Sequence, residues 1–256
     1  MLWSETRTTG GQLGRVVLVH GFTQTSQSWS SLADALAGEG FEVVLVDAPG
    51  HGRSRDVRVD LWEAGAALLE VGGDATYVGY SMGARMALHA ALLPTERVRA
   101  LVLLGATAGI DDPGEREDRR RHDEALAVSL ETDGLEAFLI RWMASPLFAT
   151  LSPQAAGRES RLTNSIEGLA SSLRLCGTGT QDPPLWDRLG ALARPTLVLA
   201  GELDPKFATL AHRLAGAIGR SASVALIPGA GHTAHLEQPT RFLAVLRQFL
   251  VGNPSP

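Results

Sequence analysis

Residues 75–88 read ATYVGYSMGARMAL, and this stretch decides the fold. ATYVGY is an apolar, β-branched run of strand length, whereas SMGARMALHAALL has the spacing of a helix, so Ser81 stands where a strand passes directly into a helix. Gly79 to Gly83 fit the pattern G-x-S-x-G, and a strand-to-helix junction is the setting that a nucleophile elbow requires. Gly79 and Gly83 permit close backbone approach in so sharp a turn, which leaves the Ser81 hydroxyl exposed at the C-terminal edge of a sheet. The partial positive charge of the helix N-terminus lies beside it.

The same rhythm extends outward in both directions. RVVLVH (15–20) and FEVVLVD (41–47) are continuous apolar runs, as expected of strands covered on both faces. Between them SQSWSSLADALAGEG has helical spacing at Trp29, Leu32, Ala33 and Leu36, then glycines where a helix would stop. A helix over about 60–70 precedes ATYVGY, and RVRALVLLG (97–105) supplies the next strand. These units predict an α/β fold, a mostly parallel sheet flanked by helices. From about 111 to 190 no strand-like run occurs; the segment begins with the charged DDPGEREDRRRHDE and is punctuated by SP, SP and DPP. It reads as a helical lid over 111–190, inserted into a core made of 1–110 and 191–256. RPTLVLAGELD, a helix at about 207–218, ASVALIPGAGH and a helix from Pro239 to Leu250 complete the core, and GNPSP (252–256) reads as a frayed end.

Composition narrows the function. A chain of 256 residues with 45% hydrophobic content can bury one large core. The net charge of -5 argues against nucleic acid or an anionic membrane as the main partner, because neither is attracted to an acidic surface. Cys176 is the single cysteine, so neither an internal disulfide nor a multi-thiolate metal site is available, which fits a reducing cytoplasm. MLWSETRTTGG lacks the apolar stretch of a signal peptide, and no apolar run approaches the roughly 18 residues of a membrane span. A cytoplasmic protein is expected. Neither a Gly-rich phosphate loop nor a ligand cluster at useful spacing occurs, so no metal, nucleotide or flavin cofactor is expected.

A nucleophilic serine needs a base and a group to orient that base. After the elbow, the chain supplies Asp204 behind the strand VLAGEL and His232 in PGAGH, in the order serine, acid, histidine. Both follow strands, so their loops can converge on Ser81 at one sheet edge. Glu202 is a rival for the acid and His235 for the base. An oxyanion hole needs two backbone donors; Met82 N–H follows the serine, and Phe22 N–H lies in His20-Gly21-Phe22 after the first long strand. His20 and His51 read as loop-shaping residues, and His89, His122 and His212 as helix-face residues.

Across its length the chain resembles the α/β-hydrolase superfamily, with HGF (20–22), DAPGHGRS (47–54), GYSMG, GELD and AGH in the superfamily's order. Arg85, one helical turn beyond Ser81, is unusual there, because an apolar ester pocket would leave a cation unpaired. It points to an anionic substrate or a buried acidic neighbour. GYSMGAR, RRRHDEALA, WMASPLF (142–148), RLTNS (161–165), GELDPKF (201–207) and AGHTAHLEQP together resemble one branch, the 2-succinyl-6-hydroxy-2,4-cyclohexadiene-1-carboxylate synthases of menaquinone biosynthesis. Ala84 replaces the glycine common in that branch before the elbow arginine.

That resemblance implies a carbon–oxygen lyase whose triad takes a proton α to the succinyl ketone and expels the enolpyruvyl group as pyruvate. It also implies a small polycarboxylate substrate bound by Arg85, Arg120 and Arg161, with Tyr80, Trp142 and Phe148 around it. Guanidinium groups suit this task because they hold carboxylates in bidentate geometry. The register within Arg119 to Arg121 is open; Arg120 is chosen because it stands three residues before Asp123. Taken alone, the run from Arg116 to Arg121 reads as a solvated helix face. The competing readings are an ester, lactone or carbon–carbon bond hydrolase using the same triad, and a catalytically silent ligand receptor.

Overall fold

The computed structural model describes residues 1–11 and 13–253. Seven strands form one sheet: β1 (Ser4–Arg7), β2 (Arg15–Val19), β3 (Glu42–Val46), β4 (Ala75–Tyr80), β5 (Val98–Leu104), β6 (Thr196–Gly201) and β7 (Ala222–Ile227), in the order β1-β3-β2-β4-β5-β6-β7. Every neighbouring pair is parallel except β1 with β3. The continuous apolar runs have a direct cause. Val17 and Val19 enter a core on one face with Leu68, Leu88 and Leu214, while Val16 and Leu18 enter the opposite core with Leu36, Phe242 and Leu246. On the first face lie α2 (Leu61–Gly72), α3 (Met82–Leu92) and α8 (Pro205–Ile218); α1 (Ser30–Gly38) and α10 (Pro239–Gly252) cover the second.

Between β5 and β6 the chain forms α4 (Pro113–Asp133), α5 (Leu135–Met143), α6 (Arg158–Arg161) and α7 (Ile166–Cys176), with no strand among the described residues. These helices have a small core of their own, built from Ala127, Leu130, Phe138, Leu139, Leu169 and Leu173. Asp112 caps α4 by accepting the Glu115 N–H at 2.8 Å, with Pro113 at the first helical position. A short helix, α9 (Ala234–Glu237), precedes α10. Among the described residues no helix is long and apolar enough to cross a membrane.

Two differences from the sequence reading have simple reasons. The strand Ser4–Arg7 is short, polar and half-exposed, so it carries no apolar signal; it adds to the sheet by backbone pairing of Ser4 with Val46 through Arg7 with Val43. At the C-terminus, Gly252 still belongs to α10, and of the expected frayed end residues 254–256 lie outside the described residues.

The strand order positions the site. From β2 the chain moves outward to β3 on one side, then returns to β4 on the other, so the crevice between the C-terminal ends of β2 and β4 is where loops part and a ligand can enter. Phe22 follows β2 and Ser81 follows β4, and Val19 pairs with Gly79 in register.

Candidate active site

Ser81 has φ 52° and ψ -107°, a backbone conformation that side-chain-bearing residues rarely adopt, held between the end of β4 and the first turn of α3. The flanking glycines are steric necessities. A Cβ at Gly83 would lie 2.3 Å from the Val19 carbonyl oxygen, and one at Gly79 would lie 2.4 Å from that of Gly83. The turn therefore aims the Ser81 hydroxyl into the crevice.

His232 Nε2 stands 3.2 Å from Ser81 Oγ, and His232 Nδ1 stands 2.8 Å from Asp204 Oδ2. The other Asp204 oxygen accepts the Phe207 N–H at 3.2 Å, so this carboxylate also caps α8, with Pro205 at the first helical position. The helix N-terminus thus fixes the position of the acid. Glu202 does neither: it accepts the Gly229 N–H at 3.1 Å on the surface. His235 is buried with both ring nitrogens unpartnered, its ring 4.2 Å from that of Trp29 and 4.5 Å from that of Tyr80. Burial and nearby positive charge push its pKa well down.

His20 and His51 shape loops, as expected. His20 Nε2 accepts the Ala48 N–H at 3.0 Å and His51 Nε2 the Thr23 N–H at 3.1 Å. Burial lowers both pKa values, that of His51 to about 3, so each stays a neutral acceptor. His89 is buried on α3 with Nδ1 2.7 Å from the Arg85 carbonyl oxygen, whereas His122 and His212 are exposed.

The loop that carries His232 is held by one carboxylate. Glu237 accepts the Gly231 N–H at 2.7 Å, the Thr233 N–H at 3.0 Å and the Thr233 hydroxyl at 2.6 Å, with the Thr150 hydroxyl as a further donor. Burial pushes its pKa up, but these donors outweigh burial and the net shift is downward. A carboxyl with a depressed folded pKa stabilises the fold above its unfolded value of about 4.3, and that contribution is lost as pH falls through the folded value. Glu237→Gln is expected to lower Tm at neutral pH and to flatten the fall of Tm between about pH 5 and about pH 3. Thermal melts across that range check it; parallel curves for both proteins would contradict it.

Beside Ser81 lies a cavity of about 160 Å³ lined by Phe22, Tyr80, Met82, Trp142, Phe148, Phe207 and His232, with the charged side chains Arg85, Arg119, Asp123 and Lys206. Met82 is the first residue of α3, so its N–H is one of the donors that a helix leaves free, and the Phe22 N–H makes no hydrogen bond among the described residues. The aromatic wall is also packing: the Trp142 ring lies 5.3 Å from Phe22, 5.7 Å from Phe148 and 6.1 Å from Phe138. Tyr80 is buried, and burial pushes its phenol pKa up, so it stays neutral.

Arg85 is buried, and its Nη1 donates to the Cys176 carbonyl at 2.6 Å. Burial first, then the neighbouring Arg119, lowers its pKa to about 10, so it remains cationic at neutral pH. Arg120 does not reach the cavity. Its guanidinium donates to Asp182 at 2.8 Å and to the Gly179 carbonyl at 2.9 Å, in the turn over 178–182. Arg119 lines the cavity instead, with Nε donating to Asp123 at 2.8 Å. The reason is helical phase: Arg119, Asp123, Ala127 and Leu130 recur at i, i+4, i+8 and i+11 on one face, and Arg120 stands about 100° away. Arg119→Ala is expected to raise KM for a polycarboxylate substrate about tenfold, and Arg120→Ala to leave it within about twofold. Steady-state kinetics of the two variants test this, and the reverse ranking would refute it.

Arg161 also departs from expectation. It is 2% exposed and is absent from the residues lining the Ser81 cavity. Its Nε donates to the Ala156 carbonyl at 2.7 Å and its Nη1 to the Thr23 hydroxyl. Lys206, at the cavity mouth, was missed by sequence reasoning; GELDPKF contains it, but nothing in the sequence shows that the first turn of α8 faces Ser81.

Residues 16–245 match the model of the alpha/beta hydrolase family. The chain belongs to the alpha/beta hydrolase family. Within it, a Klebsiella pneumoniae (strain ATCC 700721 / MGH 78578) protein named 2-succinyl-6-hydroxy-2,4-cyclohexadiene-1-carboxylate synthase is 33% identical over 93% of this chain and 94% of its own. A Bacillus subtilis (strain 168) protein that carries the same name provisionally is 36% identical over 93% of this chain and 90% of its own. The solved structure of MenH from S. aureus superposes with a TM-score of 0.90 at 31% identity and covers 99% of both chains. This alpha/beta hydrolase thus groups with the synthase branch on sequence and on fold.

Proposed function

We infer that the protein is a carbon–oxygen lyase of menaquinone biosynthesis, converting 2-succinyl-5-enolpyruvyl-6-hydroxy-3-cyclohexene-1-carboxylate to 2-succinyl-6-hydroxy-2,4-cyclohexadiene-1-carboxylate and pyruvate. The observation that carries this reading is a serine–histidine–aspartate array opening onto a small cavity bordered by three cations, Arg85, Arg119 and Lys206, in a chain grouped with the synthases. A long acyl tail would find charge where it needs apolar contact, whereas a compact polycarboxylate finds partners.

The reaction needs one proton removed and one C–O bond broken. As the ring 3-ene becomes a 2,4-diene, the proton lost is the one on C2, α to the succinyl ketone, and the bond broken joins C5 to the enolpyruvyl oxygen. His232 Nε2 takes the Ser81 proton, and the Ser81 alkoxide takes the C2 proton. Electrons pass through the enolate and the C3–C4 double bond to expel enolpyruvate, which gains a proton and tautomerises to pyruvate. The Asp204 carboxylate holds the imidazole tautomer and steadies the imidazolium. Phe22 and Met82 N–H groups receive the enolate oxygen, each worth roughly 10²- to 10³-fold. Water is not a reactant, and the residues 111–190 act as a lid that keeps it out. A cytoplasmic location fits the single, unpaired and buried Cys176.

The same array suits covalent ester hydrolysis, so the two readings are separated directly. Purified protein is incubated with the enolpyruvyl substrate while pyruvate and diene absorbance are followed. Stoichiometric appearance of both is the expected result; rapid hydrolysis of neutral esters with no pyruvate would assign the protein as a hydrolase.

A further inference from the structure

Thr23, next to the proposed oxyanion donor Phe22, is the second of two side-chain-bearing residues with positive φ among the described residues, at 67°. It occupies the third position of a turn closed by Gln24 N–H to the Gly21 carbonyl at 3.1 Å, where glycine or asparagine ordinarily supplies the positive φ. A β-branched residue there persists only if its surroundings hold it. They do so completely. The Thr23 N–H donates to His51 Nε2 at 3.1 Å, the Thr23 carbonyl accepts Asn164 Nδ2 at 2.8 Å, and the Thr23 hydroxyl accepts Arg161 Nη1. Asn164 is anchored in turn: its Oδ1 accepts the Gly52 N–H at 2.8 Å and its Nδ2 also reaches the Arg161 carbonyl at 3.0 Å. Thr23, Asn164 and Arg161 are all buried.

We propose that Arg161 and Asn164 are positioning residues that clamp Thr23 in its left-handed conformation and thereby aim the Phe22 N–H at the developing enolate oxygen. Released from the clamp, Thr23 relaxes toward negative φ, the Gly21–Gln24 turn rotates and the donor leaves its line to Ser81. Both clamp residues lie between β5 and β6, so the oxyanion hole is complete only when that segment is docked on the β2 loop. Arg161 thus acts on the β2 loop through the Thr23 hydroxyl.

The proposal rests on the reading of Ser81 and Phe22 N–H as reacting groups, and its test uses two reactions that share the oxyanion hole: pyruvate release and hydrolysis of 4-nitrophenyl acetate. Asn164→Ala is expected to lower kcat for both by about 10- to 100-fold with KM within about twofold, since displacing a donor by about 1 Å costs on that order. Thr23→Gly adopts the same φ without strain and keeps its backbone hydrogen bonds, so it folds even if Asn164→Ala does not. Because glycine takes that φ without a clamp, this variant is expected to keep both kcat values within about twofold and, added to Asn164→Ala, to recover most of the loss. Thr23→Val, β-branched but without the hydroxyl, should lower both about five- to tenfold. Unchanged kcat in folded Asn164→Ala or Thr23→Val, or a loss that Thr23→Gly fails to recover, overturns the clamp. So does a loss in Arg161→Met confined to pyruvate release and expressed in KM, which would make Arg161 a carboxylate ligand. A wild-type protein that hydrolyses the ester but releases no pyruvate overturns the lyase reading alone, and the clamp is then judged on ester kcat.

Discussion

Replacing His232 with alanine is expected to lower kcat for pyruvate release by about 10³- to 10⁴-fold while KM stays near the wild-type value, the scale of a lost general base. Its Nε2 is the only basic atom hydrogen-bonded to Ser81 Oγ among the described residues. His20, His51 and His235 are buried with depressed pKa values, and among the described residues none hydrogen-bonds Ser81, so none can substitute. Ser81→Ala should cost a similar amount, and the double variant little more, because the residues act as a unit on one proton transfer. Asp204→Asn is more informative. Asparagine caps a helix as well as aspartate does, so α8 is retained, but the imidazole loses the charge that fixes its tautomer. A comparable loss of about 10³- to 10⁴-fold is expected with a small change in Tm. Single-turnover pyruvate release and thermal melts together check this; full activity in a folded Asp204→Asn protein would remove the orienting role from Asp204.

Arg85→Ala is expected to reduce kcat/KM for the polycarboxylate ten- to hundredfold while hydrolysis of a small neutral ester changes little. A charge-assisted hydrogen bond to a buried carboxylate is worth roughly 1.5 to 3 kcal/mol, which sets that scale. Among the described residues the guanidinium forms no ion pair within hydrogen-bond reach; its one bond there is to the Cys176 carbonyl, and Asp123 acts on it only at longer range. Its charge is therefore available to a ligand. Loss of the Cys176 bond predicts a modest fall in Tm, of about 1 to 3 kcal/mol in stability, which affects both reactions equally at temperatures well below the melt. Arg85→Lys should restore only part of the selective loss, since an ammonium keeps the charge without the bidentate fork. Equal losses on both substrates would reduce Arg85 to a structural role and withdraw the main electrostatic reason for choosing the lyase.

The sequence by itself determined the fold and picked out Ser81, Asp204 and His232, which the structure brings into one hydrogen-bonded array. Alternating apolar runs and helical patterns dictate a two-faced parallel sheet, because a strand buried on both sides can carry no polar residue without cost. G-x-S-x-G at a strand-to-helix junction, followed by Asp204 and His232 after later strands, needed no coordinates, since in a parallel sheet all three loops emerge at one edge. Only the tertiary structure decided which cation faces the cavity. Arg119 and Arg120 are adjacent in sequence and differ by about 100° of helical phase, so only the packing of α4 against α7 separates the cavity-lining residue from the one bound to Asp182. Asp204 prevails over Glu202 for a similar reason: a helix cap points one of them at His232, while the other turns to the surface. Thr23 lies 138 residues before Arg161 and 141 before Asn164, and their meeting depends on how the segment between β5 and β6 docks on the β2 loop. Local pattern reports local structure; long-range contacts of polar side chains leave no periodicity to read.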